Sequence, residues 1–313
     1  MKRTHDVPRL PHLDQFLRGE SARKAYSTVR NHGMALRRFG AWLANQDGAT
    51  ATTVSPLQLD EYGCDLASRF PADQANGHVS ALRVYLRWLA EMGLRSDDPG
   101  RALHFAPAQP TTIQALTAQE VGLLLRFVAS SARLRFGTVR TAYLLPFLCE
   151  TGLRIGEALA LTMPDLDLVR GRLMVRAPKT RSIRTVPISP ALHDLLTAYL
   201  ARRAEHLISH RLTDSGMLFC AEHGGAWART SAEASCRTVA RLAGLNRRCY
   251  PHLARKTWAT LSLINGAPLP AVMAMGGWRR LSTVQRYVSM CSEQLAQVAA
   301  ASSPLAHAEK MPQ

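Results

Sequence analysis

Apolar positions recur at steps of three and four along most of this chain, and alternate at steps of two in one stretch only. Helical spacing begins near Leu10. A long pattern from Ser21 to about Asn45 then places Val29, Leu36, Phe39 and Leu43 on one face. Ser55 before Pro56 predicts a helix start, with Leu59, Tyr62 and Leu66 turned inward. The next helix is expected from about Ala72 to Met92, with Val79, Leu82, Leu86 and Leu89 inside and Gly93 as its stop. Its other side carries Arg83 and Arg87, one turn apart. Residues 95–113 hold three prolines and no periodic pattern. The reading is therefore a helical domain over residues 1–95 and a linker over residues 96–113.

Beyond the linker, Thr117 and Glu120 have the spacing of a capping box ahead of Val121, Leu124, Leu125 and Val128. A helix over about Val139 to Glu150 leads into TGLRIGEALAL, where Gly152 breaks the backbone, Arg154 follows, and Glu157 is placed to orient its guanidinium. In RLMVRAPKTRSIRTVPIS, Leu173, Val175 and Ala177 alternate with Arg172, Met174 and Arg176, and a returning strand is expected over about Ile183 to Ile188. Lys179 falls where the first strand meets the loop, flanked by Arg181 and Arg184. Ser189-Pro190 opens another helix with Leu192, Leu195, Leu196 and Leu200 as its stripe. Met217 to Cys220 reads as a third strand, and residues 231–243 as a helix. The fold expected is mainly α with a small antiparallel β-sheet, the second domain being α+β.

Charge changes the picture. Lys plus Arg is 39 against 23 Asp plus Glu, a net +16 over 313 residues, which points to a polyanionic partner and most simply to nucleic acid. Arginine dominates so far that from residue 25 to residue 255 the only lysine is Lys179. Lysine can release a proton at working pH and arginine cannot, so that position draws attention. The six cysteines show no CxxC pair and read as reduced thiols of a cytoplasmic protein rather than a zinc site. No apolar run is long enough to span a membrane, and the basic N-terminus lacks the apolar stretch of a signal peptide.

The richest stretch for chemistry is residues 250–288. His252 and Arg255 are three apart and share a helix face. Gly276-Gly277 predicts a turn before Trp278. Tyr287 follows nine residues after Trp278, in a short helix that Ser282 or Thr283 would cap. Taken singly, an HxxR pair or a tyrosine is an ordinary surface or packing feature. A phenol, an imidazole and guanidiniums within a basic segment together fit nucleophilic attack on a phosphodiester.

The order TGLRIGE, a hairpin lysine ahead of VPI, HxxR, a GGW turn and a tyrosine nine residues on resembles the tyrosine recombinases, or phage-integrase family, including its Xer-type members. The resemblance covers nearly the whole chain. It implies a helical, SAM-like core-binding domain at the N-terminus. It also implies a catalytic domain over residues 114–295, with residues 296–313 as a tail that docks on a neighbouring protomer. Arg154 and Arg255 fall on the family's catalytic arginines, Lys179 on its hairpin lysine, His252 on its histidine and Tyr287 on its nucleophile. Trp278 stands where histidine is commoner, and the box reads HLAR followed by Lys256 where His is usual.

The implied activity is site-specific cutting and rejoining of DNA through a 3′-phosphotyrosine, for integration, excision or resolution. Two guanidiniums match a charged phosphoryl transition state. A phenol with a pKa of about 10 needs a proton acceptor, for which His252 is the candidate. Lys179 is the candidate acid for the leaving 5′-oxygen, and Trp278 walls the site and donates its N–H. No metal and no cofactor is expected. The expected partners are duplex DNA with an inverted-repeat site and further copies of the chain, a tetramer of two dimers on DNA. Arg83, Arg87, Arg181 and Arg184 are the candidate DNA-phosphate contacts. Two other readings share the residues: a DNA-binding protein that has lost catalysis, and a type IB topoisomerase.

Overall fold

The computed structural model describes residues 10–107, 114–177, 182–281 and 284. The chain divides into two compact units, residues 1–111 and residues 112–313. The first holds four helices among its described residues: α1 (Leu13–Ser21), α2 (Tyr26–Leu43), α3 (Pro56–Arg69) and α4 (Ala72–Glu91). Leu36, Phe39, Leu59, Tyr62, Leu66, Val79, Leu82, Leu86 and Leu89 form its core, as their spacing requires. Ser55 caps α3 by accepting from the backbone N–H of Gln58, whose side chain accepts from the Ser55 N–H in return.

Two boundaries differ from the sequence reading. The expected helix from Ser21 to Asn45 begins only at Tyr26. Buried Glu20 pairs with Lys24 at 2.6 Å and lies 3.1 Å from the His32 ring, contacts across the bend that periodicity does not show. The expected linker is folded over residues 95–107. Arg95 donates to the carbonyls of Ala51 and Val54, Leu103 is fully buried, and Asn76 and Ala106 exchange hydrogen bonds. A short 3₁₀ turn, Pro99–Ala102, sits inside this segment, which is part of the first unit.

In the second unit Thr117 and Glu120 form the expected capping box at α5 (Ala118–Ser130). Leu124 is buried, but Leu125 is exposed, so the inward stripe runs through Leu124 with Leu123 and Phe127 beside it. Helix α6 (Phe136–Thr151) is buried on nearly every side and forms the centre of the unit; α8 (Pro190–Ser209), α9 (Arg229–Leu242) and α10 (Pro251–Ile264) pack around it. Between α6 and α8 lie the short α7 (Ile155–Leu159) and an antiparallel sheet in the order β1 (Leu166–Asp167), β2 (Arg172–Ala177), β3 (Ser182–Pro187). The hairpin is as expected, with Leu173 and Val175 inward. The third strand is β1 rather than Met217–Cys220, which makes only isolated bridges, Thr162 to Met217 and Cys220 to Ala226.

Helix α11 (Leu269–Gly276) ends at Gly277 in the left-handed region. Among the described residues no helix is long and apolar enough to cross a membrane, and no group of three His, Cys, Asp or Glu side chains could hold a metal ion.

Candidate active site

The site is built on two glycine turns held together by a buried arginine. Gly152 ends α6 with φ 63°, a conformation that favours glycine. A Cβ there would lie 2.0 Å from the Trp258 ring, so glycine is required twice over. The chain then straightens, and Arg154 enters α7 in extended backbone. Gly276 is closed off in the same way by the Trp278 ring, 2.5 Å from where a Cβ would sit. Trp258 and Trp278 lie against each other with ring centroids 5.7 Å apart, joined by Val272 and Val284 in a small apolar cluster.

Arg255, on α10, is 1% exposed. Its Nη1 donates to the Gly152 carbonyl and its Nη2 to the Gly276 carbonyl, each at 2.6 Å, and its Cζ stands 4.3 Å from the centre of the Trp278 ring. The sequence reading assigned both arginines to a phosphate. The structure separates them: Arg255 ties the two turns from within, whereas the Arg154 side chain is 50% exposed.

Glu157 is buried between two guanidiniums. Its carboxylate accepts from Arg154 Nη1 at 3.0 Å and from the Arg154 backbone N–H at 3.0 Å. It also takes a two-pronged contact from Arg184, 3.2 Å to Oε1 and 2.8 Å to Oε2. Burial alone would raise its pKa; the Arg184 and Arg154 hydrogen bonds and charges outweigh it and hold the carboxyl below its ordinary value. Glu157 is thus a fixed anion that orients Arg154.

Arg184, expected at a DNA phosphate, is turned inward with its side chain 13% exposed. Strand parity explains this. Arg184 pairs across the hairpin with buried Val175 and lies two residues from buried Val186, so it shares their face. Arg83 is likewise engaged with its own unit, donating to the Gly100 carbonyl at 2.9 Å and lying over the Phe105 ring. Arg87 is exposed, 3.7 Å from Asp98. Lys179, Arg181 and Tyr287 lie outside the described residues, as do residues 285–313.

His252 opens α10 and is exposed at the surface. Its pKa is lowered, first because the protein around it displaces water and then by the charges of Arg255, Arg154 and Lys256. The imidazole is therefore neutral at pH 7, the form that accepts a proton. Lys256, one turn further along the same helix, is buried, and burial lowers its pKa too. If His252 is the base, the second-order rate of adduct formation should hold as pH falls through 6.5, the ordinary histidine value, and fail only below it. A midpoint at or above 6.5, or a profile unchanged in His252→Ala, would remove His252 from that role.

Residues 114–293 match the phage integrase family. The chain belongs to the phage integrase family. It is 30% identical to the tyrosine recombinase XerC of Rhodospirillum centenum over 87% of either chain. It is 26% identical to the tyrosine recombinase XerD of Halalkalibacterium halodurans over 94% of this chain and 98% of that one. Its fold is that of the XerH site-specific recombinase bound to palindromic difH substrate, with a TM-score of 0.69 at 19% identity over 95% of this chain and 85% of that one. A lambda integrase tetramer bound to a Holliday junction gives 0.69 at 15% identity over 88% and 76%. The protein is a tyrosine recombinase, a site-specific enzyme of this family.

Proposed function

We propose that this recombinase cuts DNA by attack of the Tyr287 phenol on a phosphodiester, leaving a 3′-phosphotyrosine, and that the released 5′-hydroxyl of a partner strand reverses the step. His252 takes the phenolic proton. Arg154, open to solvent and aimed by Glu157, donates to the non-bridging oxygens as their charge grows. Arg255 contributes positive charge from beneath and holds the two turns in place. Trp278 is the platform under that guanidinium, and Lys179 protonates the leaving 5′-oxygen. The protein acts in the cytoplasm on duplex DNA with inverted repeats, as a tetramer of two dimers; a tetramer is also the form in which lambda integrase binds a Holliday junction. Arg87 and Arg181 remain its candidate phosphate contacts outside the centre.

The observation that carries this reading is an exposed guanidinium held by buried Glu157, in the same unit as an exposed His252 whose pKa is lowered first by the loss of water around it and then by the charges of Arg255, Arg154 and Lys256. Strand exchange rather than simple relaxation is tested on supercoiled plasmid. A plasmid with two copies of an inverted-repeat target site should yield recombinant circles, and one without the site should stay supercoiled. Relaxation of both without recombinants would make the protein a topoisomerase; covalent inertness on both would make it a DNA-binding protein only.

A further inference from the structure

Two guanidiniums, buried Arg255 and half-buried Arg184, cross the same seam. Arg255 joins the Gly152 carbonyl to the Gly276 carbonyl, and Arg184 joins the Glu157 carboxylate to the Met275 carbonyl, the latter through Nε at 2.7 Å. Both therefore connect the segment that bears Arg154 with the end of α11 that leads to Trp278. Arg184 does so from strand β3. We infer that Arg184 is a positioning residue for strand cleavage, setting Arg154 through Glu157 and fixing it relative to the α11 terminus. The inference rests on the recombinase reading above.

Charge balance supplies the argument. Glu157 is buried and ionised, and it faces two guanidiniums. With Arg184 present the three groups carry one net positive charge, and the exposed member, Arg154, presents it. Without Arg184 the carboxylate has Arg154 as its remaining cation among these three, and the pair is neutral. A buried carboxylate then draws Arg154 inward, away from a phosphate. The same guanidinium places a cation at the carbonyl end of α11, where the helix dipole favours it. Arg184 uses three separate donors for the two carboxylate oxygens and the Met275 carbonyl, so lysine keeps the charge but replaces the fork only in part.

The test compares Arg184→Gln with wild type, Arg154→Ala and Glu157→Gln on a nicked suicide substrate at saturating protein. The scissile group is either an ordinary phosphodiester or a methylphosphonate, which lacks one charged oxygen. Arg184→Gln should slow adduct formation on the order of 10²-fold on the phosphodiester, with DNA affinity and its salt dependence unchanged. The defect should shrink on the methylphosphonate in parallel with that of Arg154→Ala, and Arg184→Gln should add little to Glu157→Gln. If the glutamine variant does not fold, Arg184→Lys carries the same comparison with a smaller defect.

Equal defects on the two substrates would reduce Arg184 to a packing role. Weaker binding with a salt slope smaller by about 1 would make it a DNA contact. Wild-type rates would remove it from the reaction. Absence of any adduct in the wild type is a separate result, and it would count against the recombinase reading instead.

Discussion

Lys179→Ala should slow cleavage of an ordinary phosphodiester by roughly 10²- to 10⁴-fold, the usual loss when a general acid is removed. It should cleave a substrate whose bridging 5′-oxygen is sulfur at close to the wild-type rate. The reason lies in the leaving group. An alkoxide departs from phosphorus only as it gains a proton, whereas a thiolate departs without one. Arg154→Ala supplies the control. In the proposed mechanism its guanidinium acts on the non-bridging oxygens, which the sulfur substitution leaves in place, so its defect should persist on both substrates. Equal defects of Lys179→Ala on oxygen and sulfur would assign the lysine to phosphate binding. The proposal for Lys179 comes from its isolation in an arginine-rich chain and its place between strands β2 and β3. Sulfur rescue is thus a direct assay of its chemistry.

Much of this protein was legible because its element boundaries are marked by local chemistry. Ser55-Pro56 with Gln58, and Thr117 with Glu120, are caps whose partners lie three residues away, and each forms as spelled out. Tyr250 precedes Pro251, which pushes a residue towards extended backbone, and it has φ −150° and ψ 160°. The Gly276-Gly277 turn likewise follows from the residues alone.

What was not legible depends on partners distant in sequence. The proline-bearing segment after α4 looked like a linker, but Arg95 and Leu103 tie it to the first unit through groups around residues 51–54 and the helical core. A run of apolar residues at Met217–Cys220 has strand composition yet finds only single bridges. Arg184 was misplaced for a different reason. Its charge suggested DNA, while its parity with Val186 already put it on the inward face. Glu157 is legible in the sequence as a neighbour that orients Arg154; its second cation, Arg184, comes from strand β3, 27 residues on, and follows only from the fold.

Tyr287→Phe should abolish covalent capture of DNA and leave binding and folding intact, because the substitution removes one oxygen and keeps the ring. Tyr250 is the alternative phenol closest to His252 in sequence. It sits half-buried at the start of α10 and packs against the main core, so Tyr250→Phe should still form the adduct. Tyr287 is singled out by its position in the chain. The buried tie from Arg255 to Gly276 fixes the turn from which the chain runs, nine residues beyond Trp278, to this phenol. The measurement that tests this most directly is mass spectrometry of the trapped adduct after proteolysis. The nucleotide should be found on the peptide containing Arg286, Tyr287 and Val288. An adduct on any other peptide, or one that persists in Tyr287→Phe, would contradict the mechanism.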